Sequence, residues 1–526
     1  MSETIEAETG SKDTTIIFIA VTASTAAVTY NNLAVITAIP VMKAEFDMSL
    51  TMAQWIMNGY SLACAVFVAA MGRFGDIFGH MRIIVLAMVC FLIGSLLALF
   101  AFDTVIVIAG RVLQGVGAAG VLSTSLAILN NAVPEARRTA VIGLWGAVVA
   151  LGMGFGTSIG GVLTAISWRA VFAVDVLVML TALILALRVM MSTREQTVGV
   201  REPVDFPGLI LLVLFVGPLT FALTHGQETG WTAIETVLPL AVGIACGILL
   251  IIVELRAKAP LIRIDFFRRR RYVAGMIGLC LAGMNSAMFV YFYTLFAQSP
   301  DGLSYTAIVA GFSLLPFSMT MFLLAVGVPR VPAVAESTWL IATGMAVMAI
   351  GFWFAHRFSS ASTFGDTWWP TVLIGTGVGL SYSLLPRTAL RALAEKDAGQ
   401  GSGVINTCLF FGITMGVVIG GIVTAVSLRA SLSAVVAHLG LAPAVEERLV
   451  HVLVHGSPGE IEATFERTAA SGPTALKQAT QTAIESSFGD VMLVGTVMSL
   501  VGLISIVWLL RGPPNADETP SVDGSN

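Results

Sequence analysis

The chain is 526 residues long, 56% of its residues are hydrophobic and only 11% are charged. A soluble domain carries about 25% charged residues, so this composition excludes a soluble protein. We expect no nucleic-acid partner, and the net charge of −4 says nothing about one. The sequence therefore predicts an all-α membrane protein.

Fourteen runs of mostly apolar residues are long enough to cross a bilayer as helices. In chain order we predict transmembrane helices at 14–40, 50–72, 83–101, 105–130, 139–165, 169–190, 206–224, 234–255, 272–297, 303–328, 338–355, 368–386, 401–427 and 488–510. An even number of spans returns both termini to one side. The loops after the even-numbered helices hold most of the arginines, so we expect both termini in the cytoplasm and the protein in the cell inner membrane.

The helix predicted at 105–130 contains GRVLQGVGAAG, whose glycines have the spacing of a dinucleotide-binding turn. No strand precedes it, so the glycines are better explained by close packing between membrane helices. The five cysteines lie apart in apolar spans, without a CxxC motif or clustered histidines. We therefore predict no disulfide, no metal site and no cofactor.

The sequence also contains an internal repeat with a constant shift of 260 residues. GMGFGTSIGGVLTAI at 152–166 matches GITMGVVIGGIVTAV at 412–426. Helices 4 and 5 match helices 12 and 13 in the same direction, which predicts two six-helix bundles in parallel repeat, with helices 7 and 8 inserted between them. Secondary transporters are built in this way, and bind substrate between the halves.

This repeat divides the chain into five predicted parts. They are a cytoplasmic tail at 1–13, an N-terminal bundle at 14–190, cytoplasmic loops with the inserted helices at 191–271, a C-terminal bundle at 272–510 that includes an extracytoplasmic loop at 428–487, and a cytoplasmic tail at 511–526. We interpret the loop as a small helical cap, because Ser457-Pro-Gly-Glu460 is typical of a helix start.

Two ionisable residues lie deep inside predicted spans, where a charge costs roughly 3 kcal/mol on insertion scales. They are Arg111 in helix 4 and Asp175 in helix 6. A rise of ~1.5 Å per residue places both about 10 Å from the outer helix ends, in one layer with Asn31 of helix 1. The pair could be a structural ion pair or a proton or substrate site.

Three motifs resemble those of the major facilitator superfamily. GRFGDIFGHMR at 72–82 resembles its loop signature through Gly72, Asp76, Gly79 and Arg82, RVLQGVGAAG resembles its helix 4 signature, and GMGFGTSIGG resembles the helix 5 signature of its exporters. With fourteen spans, the chain is similar to the drug:proton antiporter branch.

The resemblance implies a proton-coupling role for Arg111 and a conformational latch at Asp76 and its loop partners. It also implies a flexible helix 5 through Gly152, Gly156, Gly160 and Gly161.

The sequence departs from the branch at three positions. Asn31 stands where helix 1 usually carries an aspartate, and Thr157 replaces a proline of helix 5. After Trp168-Arg169, Asp175 and Leu177 stand where asparagine and then proline are usual. An amide cannot carry a proton, so either Asp175 has taken over the role of the acid or coupling is altered.

Six side chains are predicted to line the substrate path: Tyr30, Asn31, Trp55, Gln114, Trp145 and Tyr291. The sequence thus predicts a monomeric exporter of small amphipathic or apolar compounds in exchange for protons. The alternatives are an uncoupled or differently coupled metabolite carrier and, in another class, a transporter-like sensor. No cluster of nucleophile, base or metal ligands indicates an enzyme, and Arg268 to Arg271 are expected to contact anionic membrane lipid.

Overall fold

A computed structural model describes the backbone of residues 2–133, 135–192, 205–257, 260–328, 338–394, 397–438 and 473–511. Within these ranges the regular structure is helical and contains no strand, which confirms the predicted all-α class.

Fifteen α-helices are described. They are α1 Ser2–Glu45, α2 Leu50–Phe78, α3 His80–Leu99, α4 Thr104–Ala132, α5 Glu135–Ile166, α6 Trp168–Ser192, α7 Phe206–Thr229, α8 Ile234–Glu254, α9 Arg270–Gln298, α10 Ala307–Ser313, α11 Leu315–Gly327, α12 Thr338–Ala355, α13 Phe364–Leu390, α14 Ala398–His438 and α15 Pro473–Leu510. A short 3-10 helix at Ile264–Arg268 precedes α9.

Each predicted span coincides with a described helix, although not every helix qualifies as a crossing. Twelve of the described helices are long and apolar enough to span a bilayer, and α10 with α11, which meet at a bend of 40°, would make a thirteenth if the pair crosses as one span. The bend falls at Leu314, two residues before Pro316, whose ring cannot continue a helix without loss of a hydrogen bond. The remaining helix, α13, contains the predicted span 368–386 but is not among the twelve. The count of fourteen crossings therefore stays a prediction.

The N-terminal end of the chain and the two flanks of the long loop are more helical than predicted. The backbone of α1 already begins at Ser2, inside the predicted tail 1–13. Likewise α14 continues to His438 and α15 begins at Pro473, both within the predicted loop 428–487. The proposed helix start at Ser457 and the tail beyond residue 511 lie outside the described residues.

Helix packing repeats from one half of the chain to the other. In the first half, α1 packs against α5 and α6, and α3 packs against α4 and α6. In the second, α9 packs against α14 and α15, and α12 packs against α13 and α15. The glycines follow the same rule: Gly160 of α5 contacts Ala34 of α1, and Gly420 of α14 contacts Phe292 of α9. This pattern supports the predicted parallel repeat.

The two halves meet along two seams. At the α2/α14 seam, Gly421 lies against Gln54, and at the α5/α10–α11 seam, Gly161 lies against Ala307 and Gly311. The inserted α7–α8 hairpin packs through α7 on the first seam, against both α2 and α14. We call the face that carries the 72–82 loop the basic face, and the other the opposite face.

Candidate functional site

Arg111 is enclosed by close packing of α4 against its neighbours. A Cβ atom at Gly115 would overlap the Tyr60 carbonyl of α2, and one at Gly117 would overlap α3 at Ala87. Glycine at these positions therefore lets three helices approach, and the Arg111 side chain is fully buried among them. The glycines of GRVLQGVGAAG thus serve helix packing, as the sequence predicted.

The guanidinium of Arg111 is held from several sides. Its Nε donates to the Ile56 carbonyl of α2 at 3.0 Å, and its Nη1 donates to Gln114 Oε1 at 2.8 Å. The guanidinium also stacks over the Tyr60 ring, 4.3 Å from the centroid. Gln114 is fixed in turn, because its Nε2 donates to Ser95 Oγ at 2.8 Å.

A neutral amide connects this arginine to Asp175. Arg111 Nη1 donates to Asn31 Oδ1, and Asn31 Nδ2 donates to Asp175 Oδ2. All three side chains are fully buried, so α4, α1 and α6 contribute to one polar chain in the layer that the helix depths predicted. Arg111 and Asp175 themselves form none of the ion pairs found among the described residues.

The two outer side chains of this hydrogen-bonded row, Arg111 and Asp175, each keep an atom without a hydrogen-bond partner. Arg111 Nη2 and Asp175 Oδ1 are buried and have no hydrogen-bond partner. Buried polar groups are nearly always paired in folded proteins, so an unpaired donor and an unpaired acceptor at one site make it a candidate binding site. A water molecule or a ligand that both accepts and donates hydrogen bonds would satisfy them.

The other predicted substrate residues differ in their hydrogen bonds and in the helices that they contact. Tyr30 and Tyr291 are buried with unpartnered hydroxyls, whereas Trp145 Nε1 donates to Thr25 Oγ1 at 3.3 Å. The Trp55 ring packs on Phe221 of α7, with the centroids 6.3 Å apart, and so points toward the inserted hairpin. Both ends of the Gln114 amide are already bonded. Whether any of the six contacts substrate stays a prediction.

Three buried polar side chains of α2 were not among the site residues predicted from the sequence. Gln54, Asn58 and Ser61 are fully buried, and all five of their side-chain nitrogen and oxygen atoms lack hydrogen-bond partners. The available signal was their spacing of four and three residues in an apolar span, which places them on one helix face.

The loop motif has one position that requires glycine. Gly79 separates α2 from α3 at a φ of 96°, a conformation that residues with a Cβ rarely adopt. Asp76 is half exposed, and its Oδ1 lies 3.4 Å from His80 Nε2, while Arg82 is exposed. A Cβ at Gly72 would make only ordinary contact with Ser123. The latch role of the motif stays a prediction.

The glycines of α5 are packing positions against α1 and α10. A Cβ at Gly152 would meet Thr29, one at Gly156 would meet Tyr30, and one at Gly160 would meet Ala34. Three of the four glycines thus hold α5 against the turns of α1 that flank Asn31. Thr157, which replaces the usual proline, is buried with an unpartnered hydroxyl.

A charged connector lies on the basic face before α9. Arg263 donates to Asp265 Oδ2 at 2.6 Å and to Asp397 Oδ1 at 2.7 Å. The hydrogen bond with Asp265 is the main cause that raises the pKa of Arg263. Beyond it, Arg268, Arg270 and Arg271 are exposed. Among the described residues, no three His, Cys, Asp or Glu side chains come together as metal ligands would.

Known proteins resemble the chain over most of its length. The sequence model of the family described as the Major Facilitator Superfamily matches residues 17–417. The cephamycin export protein CmcT of Amycolatopsis lactamdurans is 32% identical over 78% of this chain and 85% of its own. The multidrug resistance protein Stp of Mycobacterium tuberculosis is 28% identical over 75% of this chain and 73% of its own.

A solved structure has the same fold. It is a bacterial homolog of the human lysosomal transporter Spinster, in an inward-facing and unoccupied conformation. The two superpose with a TM-score of 0.61 at 16% identity, over 95% of this chain and 97% of that one.

Proposed function

The chain belongs to the major facilitator superfamily, and on this premise we propose that it exports small amphipathic or apolar compounds in exchange for protons. It is a multi-pass membrane transporter. The names of its relatives support export, since CmcT is a cephamycin export protein and Stp a multidrug resistance protein.

The observation that carries proton exchange is the buried chain of Arg111, Asn31 and Asp175. While Asp175 is ionised, its carboxylate accepts from the Asn31 amide nitrogen, and the Asn31 oxygen accepts from Arg111. Protonation of Asp175 would remove its negative charge and turn one carboxylate oxygen into an O–H donor. The attraction that reaches Arg111 through Asn31 would then weaken, so we expect proton uptake on α6 to loosen the contact between α1 and α4.

We propose that the described conformation is open toward the cytoplasm. The halves are closed near the opposite face, where Gln298 Nε2 donates to the Thr37 carbonyl at 3.1 Å and Ser158 Oγ to the Gly311 carbonyl at 3.1 Å. On the basic face, by contrast, a Cβ at Gly143 or Gly146 of α5 would meet no described atom within 4 Å. The excess of arginine on this face supports a cytoplasmic location for it and for both termini.

The test compares cells with and without the gene for drug susceptibility and for export of metabolites, and then measures transport by the purified protein in proteoliposomes with an imposed pH gradient. Export accelerated by an acidic exterior is the expected result. Transport that ignores the gradient would favour the uncoupled carrier, whereas a protein that moves none of the compounds would favour a sensor. We also propose that the monomer is the transporting unit, and that Arg268, Arg270 and Arg271 contact anionic lipid.

A further inference from the structure

One face of α2 carries an unusual set of unsatisfied polar groups. Gln54, Asn58 and Ser61 are fully buried, and together they leave two complete carboxamides and one hydroxyl without a hydrogen-bond partner. Folded proteins leave only a few buried polar groups unpaired per hundred residues, so five such atoms on one helix face are unusual. Such groups are costly to bury without a partner, and a ligand that pairs with them would remove that cost.

The face lies where the two halves of the protein meet. Gln54 lies against Gly421 of α14, so closely that a Cβ at that glycine would overlap its amide. α2 belongs to the first half and α14 to the second, and transporters of this architecture bind substrate between such halves. From Gln54 to Ser61 the helix rises about 10 Å, which is the length of a small fused-ring compound.

The same turns of α2 also hold the proton site. Arg111 donates to the Ile56 carbonyl and stacks on the Tyr60 ring, both within the segment that Gln54 and Ser61 delimit. We therefore expect a ligand bound on one side of this segment to affect the contact that Arg111 makes with the other side.

The side chains of this face are uncharged and can both donate and accept hydrogen bonds. Each carboxamide presents a donor and an acceptor, and the buried charged side chains among the described residues are Arg111, Asp175 and Glu254, none of them on α2. A primary amide pairs best with a group that offers an adjacent N–H and C=O, because two parallel hydrogen bonds then form. Lactams, imides and carboxamides have that geometry.

We propose that Gln54, Asn58 and Ser61 form the hydrogen-bonding face of the substrate site and select neutral compounds with an adjacent N–H and C=O. The proposal rests on the export function proposed above and names its substrate class.

The test uses two matched probes, 2-quinolone and N-methyl-2-quinolone, which share a ring system and a carbonyl but differ in the N–H. Binding to the purified protein in lipid nanodiscs is measured by calorimetry. We expect the wild-type protein to bind 2-quinolone at least tenfold more tightly, and the variants Gln54→Leu and Asn58→Leu to lose that preference. Gln227→Leu is the matched control, because the Gln227 amide on α7 donates to the Leu223 carbonyl.

Thermal stability separates a binding role from a structural one. Replacing an unpartnered buried amide by leucine removes an unsatisfied group, so both α2 variants should unfold at the same or a higher temperature than the wild-type protein. A wild-type protein that binds both probes equally, or neither, overturns the proposal, as do α2 variants that keep the preference. Lower melting temperatures with equal loss of both probes would show a structural role.

Transport is read separately in inside-out vesicles with an imposed pH gradient. Uptake that does not depend on Gln54 or Asn58 refutes this inference alone. Absence of any uptake by a protein that binds 2-quinolone selectively refutes the export function and leaves the binding face supported.

Discussion

At the residue scale, Asn31 lies where two buried charges would otherwise face each other. Its amide oxygen accepts from Arg111 and its amide nitrogen donates to Asp175. A direct pair in a medium of low dielectric is hard to part, whereas a neutral bridge leaves each charge a partner without joining them. We therefore expect a change at one charge to reach the other through the Asn31 amide and not through a direct ion pair.

We expect Arg111→Ala to be among the most damaging substitutions. It removes the donors that Ile56, Asn31 and Gln114 accept from, and it leaves Asp175 without the positive charge linked to it through Asn31. Arg111→Lys should not restore transport fully, since one ammonium cannot reach Ile56, Asn31 and Gln114 with the fixed geometry of a guanidinium. Efflux rates normalised to the amount of membrane-inserted protein measure both effects. Full activity of the lysine variant would indicate a simple requirement for positive charge.

Asp175→Asn tests the proton carrier. If Asp175 carries the proton, the variant should still bind substrate but lose its response to an imposed pH gradient in proteoliposomes. The companion variant Asn31→Asp should shift preference toward cationic compounds, because it adds a carboxylate to the layer. A stable Asp175→Asn protein that is still driven by the gradient would eliminate Asp175 as the carrier. A protein whose melting temperature falls while coupling persists would make Asp175 a structural partner of Arg111.

Part of this site was predictable because a charge within an apolar span is rare, and its depth follows from the helical rise. The positions of Arg111, Asp175 and Asn31 in one layer could therefore be derived. The unpartnered state of Gln54 and Asn58 could not, because it depends on which face of α2 meets α14. For the same reason, the placement of Trp55 against α7 was not foreseen.

At the element scale, the junction between α2 and α3 depends on Gly79. Its φ of 96° would strain any residue with a Cβ by about 1–3 kcal/mol. We expect Gly79→Val to abolish transport while the protein remains inserted, and Asp76→Asn to do the same through the latch. Gly72→Ala, which meets only ordinary contact, should be milder. Normal transport rates in well-expressed Gly79→Val and Asp76→Asn proteins would contradict the switching role.

We expect the contact between Gly161 and Gly311 to govern how closely the two halves approach near the opposite face. A Cβ at Gly161 would come within 2.5 Å of the Ala307 carbonyl oxygen, so Gly161→Ala should hold α5 away from α10. Cross-linking between cysteines introduced at Thr37 and Gln298, in a background without the five native cysteines, should fall severalfold. Gly146→Ala is the control, since its Cβ would meet nothing within 4 Å. Unchanged cross-linking in Gly161→Ala would show that this contact does not govern closure.

Helix positions were predictable from apolar length, but their breaks and ends were less so. The span predicted at 303–328 is broken at Leu314, where the effect of Pro316 depends on local packing. The polar N-terminal residues have no apolar signal, yet their backbone continues α1. Helical hydrogen bonding can extend beyond the apolar stretch that reveals a span.

At the scale of the whole molecule, the parallel repeat produces two equivalent seams with unequal surroundings. α7 packs against both helices of the α2/α14 seam, while the described part of the chain places no such hairpin over the seam between α5 and α11. The repeat itself could be predicted from the sequence, because glycines at helix contacts recur with one constant shift. The shielding of only one seam was not, since it depends on where the inserted pair docks.

We expect this unequal shielding to determine how a compound reaches the protein. On the basic face, a Cβ at Gly143 or Gly146 of α5 or at Gly327 of α11 would meet no described atom within 4 Å, so we expect the unshielded seam to open sideways into the leaflet. An apolar compound would then enter from lipid, and the concentration that matters is the one dissolved in the bilayer. For a homologous series of compounds, we expect the apparent KM to be inversely proportional to the lipid–water partition coefficient when it is expressed as an aqueous concentration. Expressed as a concentration in the lipid, the KM should be constant across the series. A KM independent of partitioning would place the entrance in water instead.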